Sequence, residues 1–453
     1  MTAPVARHFA DFAYAGTDPP AKVIHQANRA ILDTLGVIAA GAAHPTTRAV
    51  ATTHPDRNGA ATLAIGGQAP AETAALINGT AAHVWDFDDT SYTGIMHGSA
   101  VILPTVLALA AEMRAEADLQ RHAFIVGSEI TYVLADICTH DHYFKGWWST
   151  VTLGLVGATA AAGVLLGLGR DAMQSAIGLA AAAAGGGKVV FGNDAKPFLV
   201  GEAARRAITF ARMAGAGLSG PQEAFEDSRG FLALLNGGQS KLSELETLGK
   251  RWRLVEPGLL FKTNPVCSAA QAAIEQTHGL LRELNATSGD IETIRAEVPD
   301  LVHISLVYPD PQTPAEAQFS LPFAVACAAL YGKVRFEDLL PGAQQTPEKK
   351  ELMARVQTEI AEDLSTDEAR QAHPESARIT LTLRDGRAAR GFCGVPRGMP
   401  DNPQSDAELI SKFDAAITHG GRKGAIETGL GGNPAQTFAR IVNRANHNTE
   451  EDQ

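Results

Sequence analysis

Apolar residues recur at three- and four-residue spacing through roughly the first 255 positions, and Val23, Ala27, Ile31, Leu32, Leu35, Val37 and Ile38 form one such face. That is the period of an amphipathic helix, and few strand patterns interrupt it. Gly36, Gly167, Gly217 and Gly237 punctuate helix ends, while Pro104 stands at an N1-like position opening a helix over 105–112. After Pro257 the texture changes. Residues 291–298 alternate apolar and polar, and 377–383 do the same ahead of an Asp385-Gly386 turn, which predicts a hairpin. Helical patterns over 315–330 and 347–360 lie between them, so this part reads as a small α+β unit with an antiparallel sheet. Helical periodicity returns over 406–418 and 435–443, beyond the Pro- and Gly-rich stretch 395–403. The expectation is a mainly α protein. A large discontinuous all-helical domain (1–256 and 396–453) carries an inserted α+β unit (257–395).

One stretch tests this reading. Residues 146–169 carry no charge and are long enough to span a bilayer of ~30 Å. They are mostly Gly, Ala, Ser and Thr, however, and a second uncharged run follows after only Arg170 and Asp171. Lys145 and Arg170 at the two ends set no orientation. Two buried helices packed through small residues are expected instead of a membrane span. The high glycine count, 44, beside only 6% aromatics agrees with close backbone approach. A net charge of −12 excludes a polyanion binder relying on bulk charge, so no nucleic-acid partner is expected. Cys138, Cys267, Cys327 and Cys393 are far apart with no CxxC pair, which argues against a zinc site and a disulfide framework. The N-terminus is interrupted by Arg7, His8 and Asp11 before an apolar segment can build, so a cytoplasmic protein is expected.

Two glycine motifs lack the context for phosphate chemistry. Gly215-Ala-Gly217-Leu-Ser-Gly220 ends a helical run where a dinucleotide fingerprint would open one, and Val189 follows Gly185-Gly-Gly-Lys188 where a P-loop needs Ser or Thr. The informative segment is 78–110, NGTAAHVWDFDDTSYTGIMHGSAVILPTVLALA, which places His83, Asp86, Asp88, Asp89 and His97 within fifteen residues of an otherwise apolar region. Crowding carboxylates is costly unless they are solvated, capping or functional, because like charges raise one another's pKa, often a mark of acid/base sites. Three readings stay open: Asp88 or Asp89 as a helix cap; a metal site using His83, Asp86, Asp88 and Asp89; or a metal-free acid/base site in which Asp86 orients His97. Lys196 and Lys262 also stand in apolar surroundings, where a snorkelling surface role competes with gripping substrate carboxylates and stabilising an enolate.

The NGTAAHVWDFDDT block followed by His-Gly-Ser resembles the signature of the MmgE/PrpD family. So do LDTLGVIAAG (32–41), AKPFLVGEAARRA (195–207), AEAQFSLPFAVA (315–326), ITLTLRDGR and PRGMPDNP with Lys412-Phe413, in the family's order. The resemblance implies dehydratases, decarboxylases and epimerases of small di- or tricarboxylic acids, working without a cofactor or metal, usually as homodimers. By the same resemblance, Asp86, His97, Lys196 and Lys262 would be catalytic, and Thr90, Trp148 and Phe323 would line the substrate site. Trp148, Leu199 and Phe323 depart from the family, whose members commonly carry His, His and Tyr there. With those acids missing, proton transfer of the epimerase kind is expected to be favoured over expulsion of a leaving group, and a non-catalytic carboxylate-binding paralogue is the other outcome. His97 is expected as the base, because imidazole titrates near working pH.

Overall fold

The computed structural model of the chain describes residues 3–16, 18–422 and 430–446. Its centre is a pair of buried helices, Ala71–His83 and Ala195–Gly215. They cross at glycine: a Cβ on Gly201 would stand 2.1 Å from the Leu76 carbonyl oxygen, and one on Gly79 would stand 2.8 Å from the Gly201 Cα. Only hydrogen at both positions allows this approach, and it sets Lys196, at the start of one helix, against His83, at the end of the other.

The uncharged run behaves as expected. It forms the buried helices Ser149–Thr152 and Gly154–Leu165, followed by Arg170–Ala182, and Gly157 packs against Gly127 and Thr131 of helix Ala117–Cys138. Among the described residues no helix is long and apolar enough to cross a membrane. The proline expectation does not hold. Helix Gly98–Met113 starts six residues ahead of Pro104 and runs through it. Every residue from Gly98 to Ala110 is buried, so tertiary packing carries the helix through a proline expected to open it.

The strands at 291–298 and 377–383 appear as Ile291–Val298 and Ala377–Leu383, the second turning into Ala388–Cys393. A fourth strand, Val356–Ile360, pairs in parallel with Ile291–Val298, so the sheet is mixed where an antiparallel one was expected. The helical pattern over 347–360 therefore ends at Met353; the edge strand after it is largely exposed and carries no apolar alternation to betray it. The pattern over 315–330 also splits, into Pro314–Ala317 and Leu321–Tyr331, because Ser320 caps the second helix by accepting from the Phe323 amide and Pro322 opens it. Helix Asp406–His419 returns to pack on Ala21–Gly41, with the Phe413 ring over Gly36 and Lys412 paired to Asp33 at 2.7 Å.

A two-residue pairing has more consequence for the site than its size suggests. Thr90–Ser91 pairs antiparallel with Leu259–Leu260, which fastens the acidic loop to the segment carrying Lys262.

Candidate active site

The loop between helices Ala71–His83 and Gly98–Met113 folds back on itself. The Ser91 and Met96 amides and carbonyls exchange hydrogen bonds at 2.8 and 3.0 Å, and two residues, Asp86 (φ +46°) and Ile95 (φ +53°), take the left-handed conformation. Aspartate tolerates that region and isoleucine does not; such strain concentrates where tertiary contacts over-determine a functional loop. The fold aims Asp86 into the protein rather than at solvent.

There it meets three partners. The Lys262 ammonium donates to the Asp86 backbone oxygen and to Oδ1, both at 2.7 Å, and Lys196 Nζ lies 3.5 Å from the same Oδ1. His97 Nε2 is 3.6 Å from it. His83 donates from Nδ1 to Asp88 at 2.9 Å, and its Nε2 accepts from Lys196. His97 Nδ1 donates to the Asp89 carbonyl at 2.8 Å, which leaves Nε2 with the lone pair, and the His97 amide donates to Thr150 Oγ1. Asp88–His83–Lys196–Asp86–Lys262 is thus one buried chain of alternating donors and acceptors. Its two carboxylates and two ammonium groups balance, which is the condition for burying them.

Burial and neighbours divide the titration. Asp86 is held well below the usual carboxylate range: burial raises it, but Lys196 and Lys262 outweigh that. Asp89 moves the opposite way, well above, through burial and the nearby Asp33 charge; it accepts from Ser99 at 2.6 Å and its other oxygen has no partner among the described residues. Burial therefore favours the protonated form of Asp89. Burial lowers Lys196, whereas for Lys262 burial is outweighed by Asp86 and Asp88 and the ammonium form is reinforced. His97, expected to titrate near working pH, is instead pushed by burial to about 3, so it is a neutral imidazole.

The capping reading is corrected. Helix Gly98–Met113 has no side-chain cap; Asp88 is spent on His83, and Asp89 meets Ser99 inside the first turn. Donor atoms of His83, Asp86, Asp88 and His97 do lie within 4.8 Å of one another, a spacing a metal ion would accept. Fit fails on charge: a divalent ion there would face the Lys196 and Lys262 ammonium groups, which already occupy Asp86 Oδ1 and His83 Nε2.

Of the other expected residues, Thr90 is buried beside the cluster with Oγ1 3.4 Å from His97 Nδ1. Trp148 stacks on His83 at 5.6 Å between ring centroids and lies 5.2 Å from Lys196 Nζ. Phe323 is not brought to the cluster: it is a core residue whose ring faces Lys349 at 5.8 Å, and it is Phe319 of the same segment that lies near Lys196, 5.0 Å away and stacked on Phe191. The turn at Gln318–Ser320, invisible to helical periodicity, separates their directions. Sequence reasoning missed Glu375, which is buried against the loop at Tyr92. Tyr92 and Ser268 donate to it at 2.8 and 2.9 Å, and burial pushes it up to about 7. No local pattern around it signals this role.

A cavity of about 600 Å³ opens on His83 and Lys196, between the loops at 40–46 and 192–197 on one side and 313–319 with 339–341 on the other. Against this geometry the family models are decisive: the MmgE/PrpD N-terminal domain matches residues 7–243 and the MmgE/PrpD C-terminal domain matches 265–427. The chain belongs to the MmgE/PrpD family. It is 27% identical over 410 residues to the cis-aconitate decarboxylase of Homo sapiens, covering 87% of this chain and 83% of that protein. It is 27% identical over 365 residues to that of Mus musculus, covering 76% and 72%. It is 25% identical over 367 residues to the cis-aconitate decarboxylase-like protein oryM of Aspergillus oryzae, covering 76% and 74%. Together, family and relatives make this MmgE/PrpD chain an enzyme of lyase type, acting on a carboxylic acid.

Proposed function

We propose that the cluster removes a proton α to a carboxylate, with His97 as the base. The observation that carries this is the His97 tautomer: Nδ1 is committed to the Asp89 carbonyl, so the lone pair of Nε2 faces the centre of the cluster beside Asp86. In the step, the substrate C–H bond breaks, the proton goes to Nε2, and the electron pair is delocalised as the enolate of the carboxylate. Asp86 at 3.6 Å stabilises the imidazolium that forms, and the Lys196 ammonium is suited to hold the carboxylate as its charge grows. Lys262 holds Asp86 in its left-handed turn, and Trp148 walls the site. Because burial lowers Lys196, it also suits proton return to the other face, the step an epimerase needs and a decarboxylase shares. Residues 257–395 would act as the lid over this site, in a homodimer. The resemblance by itself would make the acid a small di- or tricarboxylate.

The test is proton NMR in deuterium oxide on citrate, 2-methylcitrate, cis-aconitate and iminodisuccinate. Solvent exchange at an α carbon is expected with the native enzyme, and His97→Gln should slow it about 10² to 10⁴ fold. Exchange kept within a few fold in the variant would sink the assignment.

A further inference from the structure

The Gly185-Gly-Gly-Lys188 stretch lacks the context of a phosphate loop, yet it brings a charge to the edge of the candidate site. It lies along residues 146–148 as a short antiparallel ribbon. The Trp148 amide donates to the Gly186 carbonyl and the Lys188 amide to the Gly146 carbonyl, both at 2.9 Å, with Trp147 opposite Gly187. Glycine is required there, because Gly186 has φ +134° and a Cβ on it would stand 2.5 Å from Val151 Cγ2. Residues on both sides of Lys188 reach the cluster. Trp148 stacks on His83, and Phe191, whose amide donates to the Lys188 carbonyl at 2.9 Å, has its ring 5.5 Å from Lys196 Nζ. Lys188 Nζ itself stands 3.7 Å from the centroid of the Tyr143 ring, and the Tyr143 hydroxyl is hydrogen-bonded to Ser305 at 2.9 Å, so the ammonium sits where the helical part meets the α+β unit. Tyr143 lies within electrostatic reach of Asp86, and Lys188, Lys196 and Lys262 all lie within reach of Cys267.

The charge of Lys188 is uncompensated. Lys262, Lys349 and Lys412 are tied to aspartates at 2.7, 2.9 and 2.7 Å, whereas among the described residues Lys188 has no carboxylate partner. Burial lowers it to about 8, which leaves the ammonium the main form at pH 7. In the cluster, by contrast, Asp86 and Asp88 balance Lys196 and Lys262, so no surplus positive charge remains there for an acid with more than one carboxylate. We infer that Lys188 is a substrate-binding residue whose ammonium receives the carboxylate remote from the reacting carbon, while Lys196 holds the one beside it. This rests on the reading of His97 and Lys196 given above and adds the residue that selects an acid with at least two carboxylates. Without Lys188 the remote carboxylate would be desolvated with no partner; with it, the same group gains a charge-assisted hydrogen bond.

The test uses Lys188→Met, which keeps an aliphatic stem over Tyr143 without the charge, and Lys188→Arg, which keeps the charge. In isothermal titration calorimetry of the full chain, tricarballylate should bind about 10- to 100-fold more weakly to Lys188→Met than to the native chain, the scale of a hydrogen bond to a charged group. Lys188→Arg should restore most of that affinity. In the deuterium-exchange assay Lys188→Met should raise KM by a similar factor while kcat stays within about 3-fold, the pattern of lost ground-state binding. Equal binding of tricarballylate by the native chain and Lys188→Met would overturn the inference. So would no binding to the native chain, a loss that Lys188→Arg does not restore, or a fall in kcat at unchanged KM. Exchange that survives His97→Gln while tricarballylate affinity still depends on Lys188 would remove the base assignment and leave this one standing, so the two readings fail separately.

Discussion

Replacing Asp86 by asparagine isolates the charge that organises the cluster. The two side chains have the same shape, and asparagine tolerates the left-handed φ of +46° as well as aspartate does. What disappears is the partner of two buried ammonium groups at 2.7 and 3.5 Å. At an effective dielectric of about 20 the gross attractions are about 6 and about 5 kcal/mol. Desolvation offsets much of this, and breaking a buried pair on one side costs about 3–5 kcal/mol in practice. The escape route gives a similar ceiling: a lysine forced to be neutral at pH 7 moves more than three units below about 10.4, which is about 5 kcal/mol. The expected loss at pH 7 is therefore about 3–5 kcal/mol by urea unfolding. Its pH dependence has a definite sign. The folded pKa of Lys262 is raised, so the native pair contributes fully below about 10.4 and is lost only above that. In the variant neutralising the lysine costs little near pH 10, and the deficit should shrink there to about 1–2 kcal/mol. Asp86→Ala should cost a further ~1–2 kcal/mol for the left-handed backbone. The double variant Asp86→Asn with Lys262→Met should recover part of the loss. A deficit under about 1 kcal/mol at pH 7, or one that grows toward pH 10, refutes the charge argument.

Three further outcomes are expected. Glu375 binds its proton more tightly in the folded chain (about 7) than at its ordinary 4.5, so its contribution to stability is present at low pH and falls as pH rises through that window. The fall is on the order of 3 kcal/mol, and Glu375→Gln should flatten the denaturation midpoint measured from pH 5 to 8. Gly201→Ala forces a Cβ to within 2.1 Å of the Leu76 carbonyl; about 1–3 kcal/mol of stability should be lost, together with a weakened grip of Lys196 on His83, read as reduced deuterium exchange in protein still folded by circular dichroism. Because two ammonium groups already meet the carboxylate that a metal would need, exchange activity should survive extended dialysis against EDTA, and a loss restored by a divalent metal would reverse that conclusion.

Local physics decided much of this protein. Helical periodicity over the first half, the alternation in 291–298 and 377–383, and the Asp385-Gly386 turn each depend on residues close in the chain, and each appears where the pattern put it. The crowding of His83, Asp86, Asp88, Asp89 and His97 was also visible, since so many ionisable groups in an apolar stretch need a reason. What each one does was not. Asp88 and Asp89 are adjacent and chemically identical, yet one is paired to His83 and the other is pushed toward its protonated form by burial near Asp33. Lys196 and Lys262 stand 110 and 176 positions from their partners in the loop only because glycine lets two helices touch and because Thr90–Ser91 finds Leu259–Leu260. Those are long-range contacts, and no periodicity encodes them. The same holds for Pro104 inside a helix, for the edge strand Val356–Ile360, and for Phe319 taking the place expected of Phe323. Local pattern sets which backbone states are cheap; burial and distant neighbours decide the protonation state and direction of each side chain, and the chemistry depends on those.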